Sequence, residues 1–229
     1  MKSKREIYVV MSAVLVLAGF TGCSMFQNSR ATTFSGNGGF ELSQGKSALL
    51  AGDKAGAQRH LQNAASRGNS AEAHYYLALL NHGKDRDAAI RHIQDSLQIH
   101  PSAQGFLLKG ALFNRRQPEK ALQSYQMGLQ RAEPGSKLSG LLHRNAGLAL
   151  AQQGRWEKAR PHVQKYVEIA GQRGQTLSDD DLALWGLCFY QAGQEEKAHQ
   201  TWSHIRNRRI YDSIESAIRE GNLQVTQFE

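Results

Sequence analysis

The sequence predicts an all-α protein built from repeated helical hairpins. Two observations support this fold class. Only three valines follow residue 22, whereas Ala, Leu, Gln and Gly dominate the chain, and so few β-branched residues argue against a large sheet. A pattern of small residues also recurs at intervals of 32 to 39 residues, a period typical of stacked helical repeats.

The composition limits the classes of protein to which this chain can belong. With 229 residues, of which 40% are hydrophobic, it can close a core, so a disordered chain is excluded. The formal net charge is +8, which taken alone favours nucleic acid or an anionic surface as a partner. The chain has two cysteines, Cys23 and Cys188, which are too few for a disulfide framework.

The N-terminal residues indicate an export signal. Residues 1–6 carry three basic side chains, and residues 7–20 form an uncharged apolar run of fourteen residues. Such a run is typical of a signal peptide and too short for a membrane-spanning helix of about 20 residues. Small residues come directly before Cys23, and residues 17–23 resemble the bacterial lipobox. The resemblance implies cleavage of the signal peptide 1–22 and attachment of lipid, including palmitate-type acyl chains, to Cys23. The alternative is an ordinary secretory signal with an incidental cysteine.

The residues around the cleavage site also predict a location. Residue 24 is Ser and not Asp, which resembles the sorting signal of outer-membrane lipoproteins. We therefore expect a protein anchored by lipid to the outer membrane and facing the periplasm. Loss of residues 1–22 lowers the net charge from +8 to +6, and an exported protein seldom meets nucleic acid, so no nucleic-acid partner is expected. Residues 23–39 are polar and rich in Gly and Ser, which predicts a flexible tether.

Residues 40–208 repeat one motif five times. A small residue in a first helix, A, is followed eleven to twelve residues later by an Ala in a second helix, B. The pairs are Gly45 with Ala57, Ala78 with Ala89, Gly110 with Ala121, Gly147 with Ala159, and Gly186 with Ala198. A large residue recurs four positions after each helix B alanine, namely Leu61, Ile93, Tyr125, Val163 and Trp202. This pattern resembles the tetratricopeptide repeat (TPR) and implies a right-handed superhelix of about five helix-turn-helix repeats with these residues in its core.

The ends of the repeats are marked by capping residues and loops. Ser178 with Asp181 three residues later is a capping box that begins the fifth helix A. The longer spacing of the last repeats predicts polar loops over residues 131–140 and 170–180. Residues 209–229 are interpreted as a capping helix, over 211–220, and a tail, because the last repeat of a solenoid otherwise exposes an apolar face.

The TPR resemblance places a binding groove along the A helices. A mixed aromatic and cationic lining suits an extended or helical peptide with acidic character, contributed by another envelope protein. The candidate partner-binding residues are Tyr75, His82, Asn114, Arg115, Arg144, Asn145, Gln152, Tyr190 and Gln191. For Tyr75 the alternative is packing between adjacent A helices.

No catalytic pattern accompanies the repeats. The nine histidines are scattered over both helix types without an HExxH or CxxC motif, so we expect them to be solvated or packed, with no metal and no cofactor. Neither a Gly-rich phosphate loop nor a Ser/His/Asp spacing is visible, so neither enzymatic activity nor a small-molecule substrate is expected. Cys188 lies two residues from Gly186 and is predicted to be a small core residue.

Two interpretations of the function follow. The order of lipobox, tether and TPR repeats is similar to that of TPR lipoproteins of pilus and secretion systems, including type IV pilotins and TadD-type lipoproteins. It predicts a scaffold that helps such a machine to assemble. The alternative is an adaptor that docks peptidoglycan hydrolases or proteases in the envelope. A basic cluster at residues 115–116, 155–165 and 204–209 is either a solvated surface or a contact for anionic lipid or an acidic partner.

Overall fold

The prediction of an all-α fold is confirmed. A computed structural model describes residues 8–10, 37–68, 70–114, 116–221 and 224–226, and over these residues the chain forms eleven helices. The helices are α1 (Asn37–Leu50), α2 (Lys54–Gly68), α3 (Ala71–Asn81), α4 (Arg86–Ile99), α5 (Ala103–Phe113), α6 (Pro118–Leu129), α7 (Lys137–Gln152), α8 (Trp156–Gln172), α9 (Asp179–Tyr190), α10 (Glu195–Trp202) and α11 (Arg208–Arg219).

The helices follow the predicted order of A and B helices. The chain divides into two compact units, an N-terminal unit of residues 14–112 and a C-terminal unit of residues 1–13 and 113–229. In the N-terminal unit, α1 packs on α2 and α3 packs on α4; in the C-terminal unit, α7 packs on α8 and α9 on α10. Each of these pairs corresponds to one predicted repeat. The two helices of the third predicted repeat, α5 and α6, fall on either side of the division after residue 112.

Small residues in the A helices make room for large residues in the B helices. A Cβ atom added to Gly45 would lie 2.7 Å from Leu61 Cγ, and one added to Gly147 would lie 2.6 Å from Val163 Cγ2. Both distances are far below ordinary van der Waals contact, so the backbone of helix A touches the helix B side chain directly. At both positions the nearest atom belongs to the large residue that follows the helix B alanine by four positions.

The extra residues of the fourth repeat lengthen its helices. The predicted polar loops at 131–140 and 170–180 are wrong in extent, because α7 already begins at Lys137 and α8 continues to Gln172. Ser136 caps α7 by accepting a hydrogen bond from Ser139 N. The added turns pack on each other, since Ile169 is buried and its Cγ2 would lie 3.2 Å from a Cβ on Gly140. The hydrophobic contact between the two turns explains why these segments are helical.

The end of the chain carries the expected capping helix. It spans Arg208–Arg219, starts three residues earlier than predicted because Asn207 caps it, and buries Ile214 and Ala217. Beyond it, β2 (Gln224–Thr226) pairs in parallel with β1 (Tyr8–Val10). Because β1 lies inside the predicted signal peptide, cleavage after residue 22 would remove one strand of this pair. Within the described part of the chain, no helix is long and apolar enough to cross a bilayer.

Candidate functional site

Arg144, a predicted groove contact, lies in a buried ion pair of the C-terminal unit. Its side chain is 7% exposed, and its Nε donates a hydrogen bond to Oδ1 of Asp181, which is 6% exposed. The other oxygen of this carboxylate, Oδ2, accepts hydrogen bonds from the Tyr166 hydroxyl at 2.9 Å and the Ser178 hydroxyl at 2.7 Å. The pair joins α7 to α9. This placement corrects the expectation of an outward-facing cation, since the charge of Arg144 compensates a buried carboxylate.

Two other groove candidates, Asn114 and Gln152, come together at the ends of A helices. Asn114 Nδ2 donates a hydrogen bond to Gln152 Oε1 at 3.3 Å. The Asn114 side chain is buried, and its Oδ1 has no hydrogen-bond partner among the residues that the structure describes. The amide of Asn145 is used within its own helix, where Nδ2 donates to the Leu141 carbonyl at 2.8 Å. Asn114 is therefore the groove candidate with an unused acceptor.

Four further groove candidates remain partly or fully exposed. Tyr75 and His82 belong to the N-terminal unit, where burial raises the pKa of Tyr75 to about 12 and lowers the pKa of His82. Tyr190 and Gln191 belong to the C-terminal unit; the Tyr190 ring lies 6.0 Å from the Trp202 ring, and Gln191 is exposed at the end of α9. Their role in binding stays a prediction. Arg115 and the lipidation residue Cys23 lie outside the described residues.

A cleft that the repeat pattern does not predict lies among α6, α7 and α8. It encloses about 740 Å³, with apolar walls from Leu122, Ala146 and Leu150. An ion pair at its edge joins Arg155 Nη1 to Glu119 Oε1 at 2.8 Å. Since α6 and α8 are B helices, this cleft is not part of the predicted A-helix groove. Its lining residues are far apart in sequence, so periodicity alone could not identify it.

Four of the nine histidines, which were expected to be solvated or packed, form two pairs at one repeated position. His74 Nδ1 lies 3.3 Å from His92 Nδ1, and His143 Nδ1 lies 3.0 Å from His162 Nδ1. In each pair the first histidine comes four residues before the small helix A residue, and the second comes three residues after the helix B alanine. This shared register is visible in the sequence and points to the two positions, but the direction of the side chains, which decides the contact, is not. Near the first pair, Asp95 Oδ2 lies 3.5 Å from His74 Nδ1.

The second histidine pair has a perturbed protonation equilibrium. Burial lowers the pKa of His143 to about 4, with further lowering from the charges of His162 and Lys165. Burial also lowers the pKa of His162. Both imidazoles therefore stay neutral at pH 7. A neutral pair can share one N–H···N hydrogen bond across the hairpin.

Cys188, which the sequence predicts to be a core residue, lies in the interior of the C-terminal unit. Cys188 is a buried free thiol, and burial raises its pKa to about 12, so it is not activated as a nucleophile. This agrees with the predicted core position.

Several residues of the basic cluster have acidic neighbours. Lys165 Nζ lies 3.2 Å from Glu168 Oε2, and Arg208 Nε lies 3.5 Å from Asp212 Oδ1. These pairs are largely exposed and each contributes little to stability. Lys158 and Arg160 are exposed on α8 and keep this helix surface cationic.

The chain is similar in fold to solved TPR-type structures. PilF of Pseudomonas aeruginosa superposes with a TM-score of 0.64 at 17% identity, covering 81% of this chain and 85% of PilF. A structure of MamA gives a TM-score of 0.60 at 15% identity and covers 83% of this chain and 98% of MamA. A double mutant, MamA RS-1, gives 0.62 at 17% identity, covering 79% and 96%.

These similarities establish the fold. At such low identity they show a TPR-type architecture, in agreement with the sequence pattern. No family model matches the chain, and no curated protein matches it significantly.

Proposed function

We propose that this protein is a non-catalytic interaction scaffold, held by lipid at Cys23 on the periplasmic side of the outer membrane, that helps a pilus or secretion machine to assemble. The TPR-type fold supports the scaffold role. The order of lipobox, tether and repeats in the sequence supports the anchoring and the class of machine. The observation that carries the binding role is this fold together with the accessible end of α9, at Tyr190 and Gln191.

The groove candidates that a partner can reach lie at the end of α9, where Tyr190 is half-buried and Gln191 is exposed. The buried Asn114 is not such a contact: its Oδ1 has no partner among the described residues, which is unfavourable by about 1–3 kcal/mol, but it is enclosed by the protein. The aromatic ring of Tyr190 and the amide of Gln191 suit a peptide segment of a partner protein.

The charge of the C-terminal unit favours an acidic partner segment. Arg144 is neutralised by Asp181 and contributes no free charge to binding. Lys158 and Arg160 are exposed on α8 and supply positive charge elsewhere on the same unit. Electrostatic attraction of this kind raises the association rate more than the affinity.

The proposed anchor keeps the repeats close to the membrane. Two or more acyl chains give stable attachment, since each buried methylene contributes about 0.8 kcal/mol. A polar tether of the length between Cys23 and the start of α1 at Asn37 spans roughly 20 Å as a flexible coil. The partner is therefore expected at the periplasmic surface of the outer membrane.

Secretin multimers in the outer membrane test the proposed function. Deletion of the protein is expected to reduce them, and a copy with Gln164→Ala is expected to restore them because Gln164 lies exposed on α8. A copy with Gln191→Ala is expected to restore them poorly while keeping its melting temperature, since the Gln191 side chain is exposed at the end of α9. Unchanged multimers after deletion contradict the proposed machine. Recovery of a peptidoglycan hydrolase instead, by in-cell crosslinking and mass spectrometry, supports the adaptor alternative.

Anchoring is tested separately with Cys23→Ala. Wild-type protein is expected to incorporate labelled palmitate and to fractionate with the outer membrane, whereas the variant incorporates none and leaves that fraction. A Cys188→Ala variant is the control, because Cys188 is buried in the C-terminal unit. Equal labelling of wild type and Cys23→Ala contradicts the lipid anchor.

A further inference from the structure

Three side chains of metal-binding type converge between the two helices of the second repeat. His74 projects from α3, and His92 and Asp95 project from neighbouring positions of α4. His74 Nδ1 lies 3.3 Å from His92 Nδ1 and 3.5 Å from Asp95 Oδ2. All three ligand-type atoms lie within 4.8 Å of one another.

These distances match those between ligands around a tetrahedral metal ion. Zn²⁺ binds imidazole nitrogen at about 2.0–2.1 Å, which places two ligands of a tetrahedral site about 3.3–3.4 Å apart. The two separations from His74 Nδ1 lie close to this value. The ligand-type atoms of His92 and Asp95 are at most 4.8 Å apart. A small rotation of the half-exposed Asp95 side chain therefore brings its carboxylate to the distance expected between two ligands of one ion.

We propose that His74, His92 and Asp95 bind one divalent transition-metal ion, of the Zn²⁺ class, across the second helical hairpin. Two imidazoles and one carboxylate are ligands that suit Zn²⁺ and its neighbours in the first transition series. The ion joins α3 to α4. The site belongs wholly to the N-terminal unit and does not depend on the proposed scaffold function.

The surroundings leave one side of the site open to water. The Asp95 side chain is 50% exposed, whereas that of His74 is 16% exposed. On α4, Ala89 and Ile93 are fully buried and fix the helix against α3, so the two histidines are held in place before the ion binds. With three protein ligands, a tetrahedral ion keeps a fourth position for water or for a group supplied by a partner.

The other repeats provide an internal comparison for this site. In the fourth repeat His143 and His162 form the same kind of pair, but Lys165 occupies the position that Asp95 has in the second repeat. Its ammonium group repels a cation. In the first repeat the position of the first histidine is held by Glu41, which lies 2.7 Å from His60, so only one imidazole is present. Among these three pairs, the second repeat alone combines two imidazoles with a carboxylate.

The competing explanation is a plain N–H···N hydrogen bond between His74 and His92. In that case Asp95 takes no part in the contact, and the second and fourth repeats do not differ in their affinity for metal ions. The presence of the carboxylate near one pair and an ammonium near the other makes the two explanations distinguishable.

Zinc titration of the full chain tests the proposal. The protein is purified in detergent without a histidine tag, stripped with a chelator and titrated with Zn²⁺ by calorimetry. We expect one tightly bound equivalent, with visible absorption typical of tetrahedral coordination when Co²⁺ replaces Zn²⁺. His92→Gln and Asp95→Asn are each expected to weaken binding by more than about tenfold, since even outer neighbours of metal ligands contribute that much. His143→Gln is the matched control and is expected to bind like the wild type.

The melting temperature provides a second readout. Zn²⁺ is expected to raise it in the wild type and in His143→Gln but not in His92→Gln, because a ligand that binds the folded state stabilises it. Asp95→Asn changes a half-exposed side chain and keeps the test valid if His92→Gln does not fold. Absence of Zn²⁺ binding in the wild type, or equal affinity in the wild type and Asp95→Asn, overturns the proposal.

Discussion

Gly186 in α9 faces the indole of Trp202 in α10 so closely that no side-chain carbon fits between them. Trp202 is fully buried, and its Nε1 donates a hydrogen bond to the Ala183 carbonyl at 3.2 Å. The indole therefore cannot move away from Gly186 without losing this buried hydrogen bond. We expect Gly186→Ala to lower the free energy of unfolding by about 1–3 kcal/mol, the usual effect of overpacking a core, as measured by urea denaturation.

Gly171 near the end of α8 provides the control for this substitution. A Cβ atom there meets no other atom within 4 Å, and its backbone is helical. Gly171→Ala is expected to raise stability by up to about 1 kcal/mol through helix propensity. Opposite signs for the two substitutions support the steric argument, whereas destabilisation of similar size in both contradicts it.

Removal of Arg144 is expected to destabilise the C-terminal unit strongly. Arg144→Leu leaves the buried carboxylate of Asp181 without its cation, which typically lowers the free energy of unfolding by about 3–5 kcal/mol. Asn145→Ala, which removes only a hydrogen bond within α7, is expected to have an effect below about 1 kcal/mol. A double-mutant cycle with Asp181→Asn should show coupling between the two residues. An Arg144→Leu effect as small as that of Asn145→Ala would show that the ion pair is not a stabilising contact.

The histidine pair of the fourth repeat should make stability depend on pH. Burial lowers the pKa of His143 to about 4, whereas the unfolded chain binds this proton near pH 6.5. Between these values the unfolded state binds more protons, so the contribution of His143 is complete above about pH 6.5 and is lost as the pH falls towards 4.

His143→Gln is therefore expected to reduce the fall in melting temperature on acidification through this range. His204→Gln, at an exposed site, is expected to follow the wild type. The measurement is thermal unfolding by circular dichroism across the range. Parallel curves for the wild type and His143→Gln would contradict the assignment.

Lys165→Asp is expected to create a second metal site. The substitution places a carboxylate beside His143 and His162, at the position that Asp95 holds beside the first pair. Calorimetric titration should then show two equivalents of Zn²⁺ instead of one. Lys165→Ala, which removes the ammonium group without adding a ligand, should keep one equivalent. A single equivalent in both variants would mean that two histidines and a carboxylate at these positions of a repeat are not sufficient to bind Zn²⁺.

Much of the fold could be predicted because the hairpin contact is local and repeats. Gly45, Gly147 and Gly186 each lie against a large residue that follows a helix B alanine by four positions. The contact is steric, so it depends on residue size at fixed spacing, and that is visible in a sequence. The longer helices α7 and α8 were missed because polar composition does not distinguish a loop from an exposed helical turn. The contact of Gly140 with Ile169, which makes those turns helical, joins two segments that the periodic pattern does not cover.

The sequence by itself determined the helical hairpins, their order and the capping helix, because these follow from residue size and periodicity along the chain. Only the tertiary structure decided which polar side chains meet. Arg144 and Asp181 are 37 residues apart, and His74 and His92 are 18 apart. Whether such groups form a buried ion pair, a hydrogen bond or a metal site depends on the direction of each side chain and on what packs beside it, and those are properties of the folded chain alone.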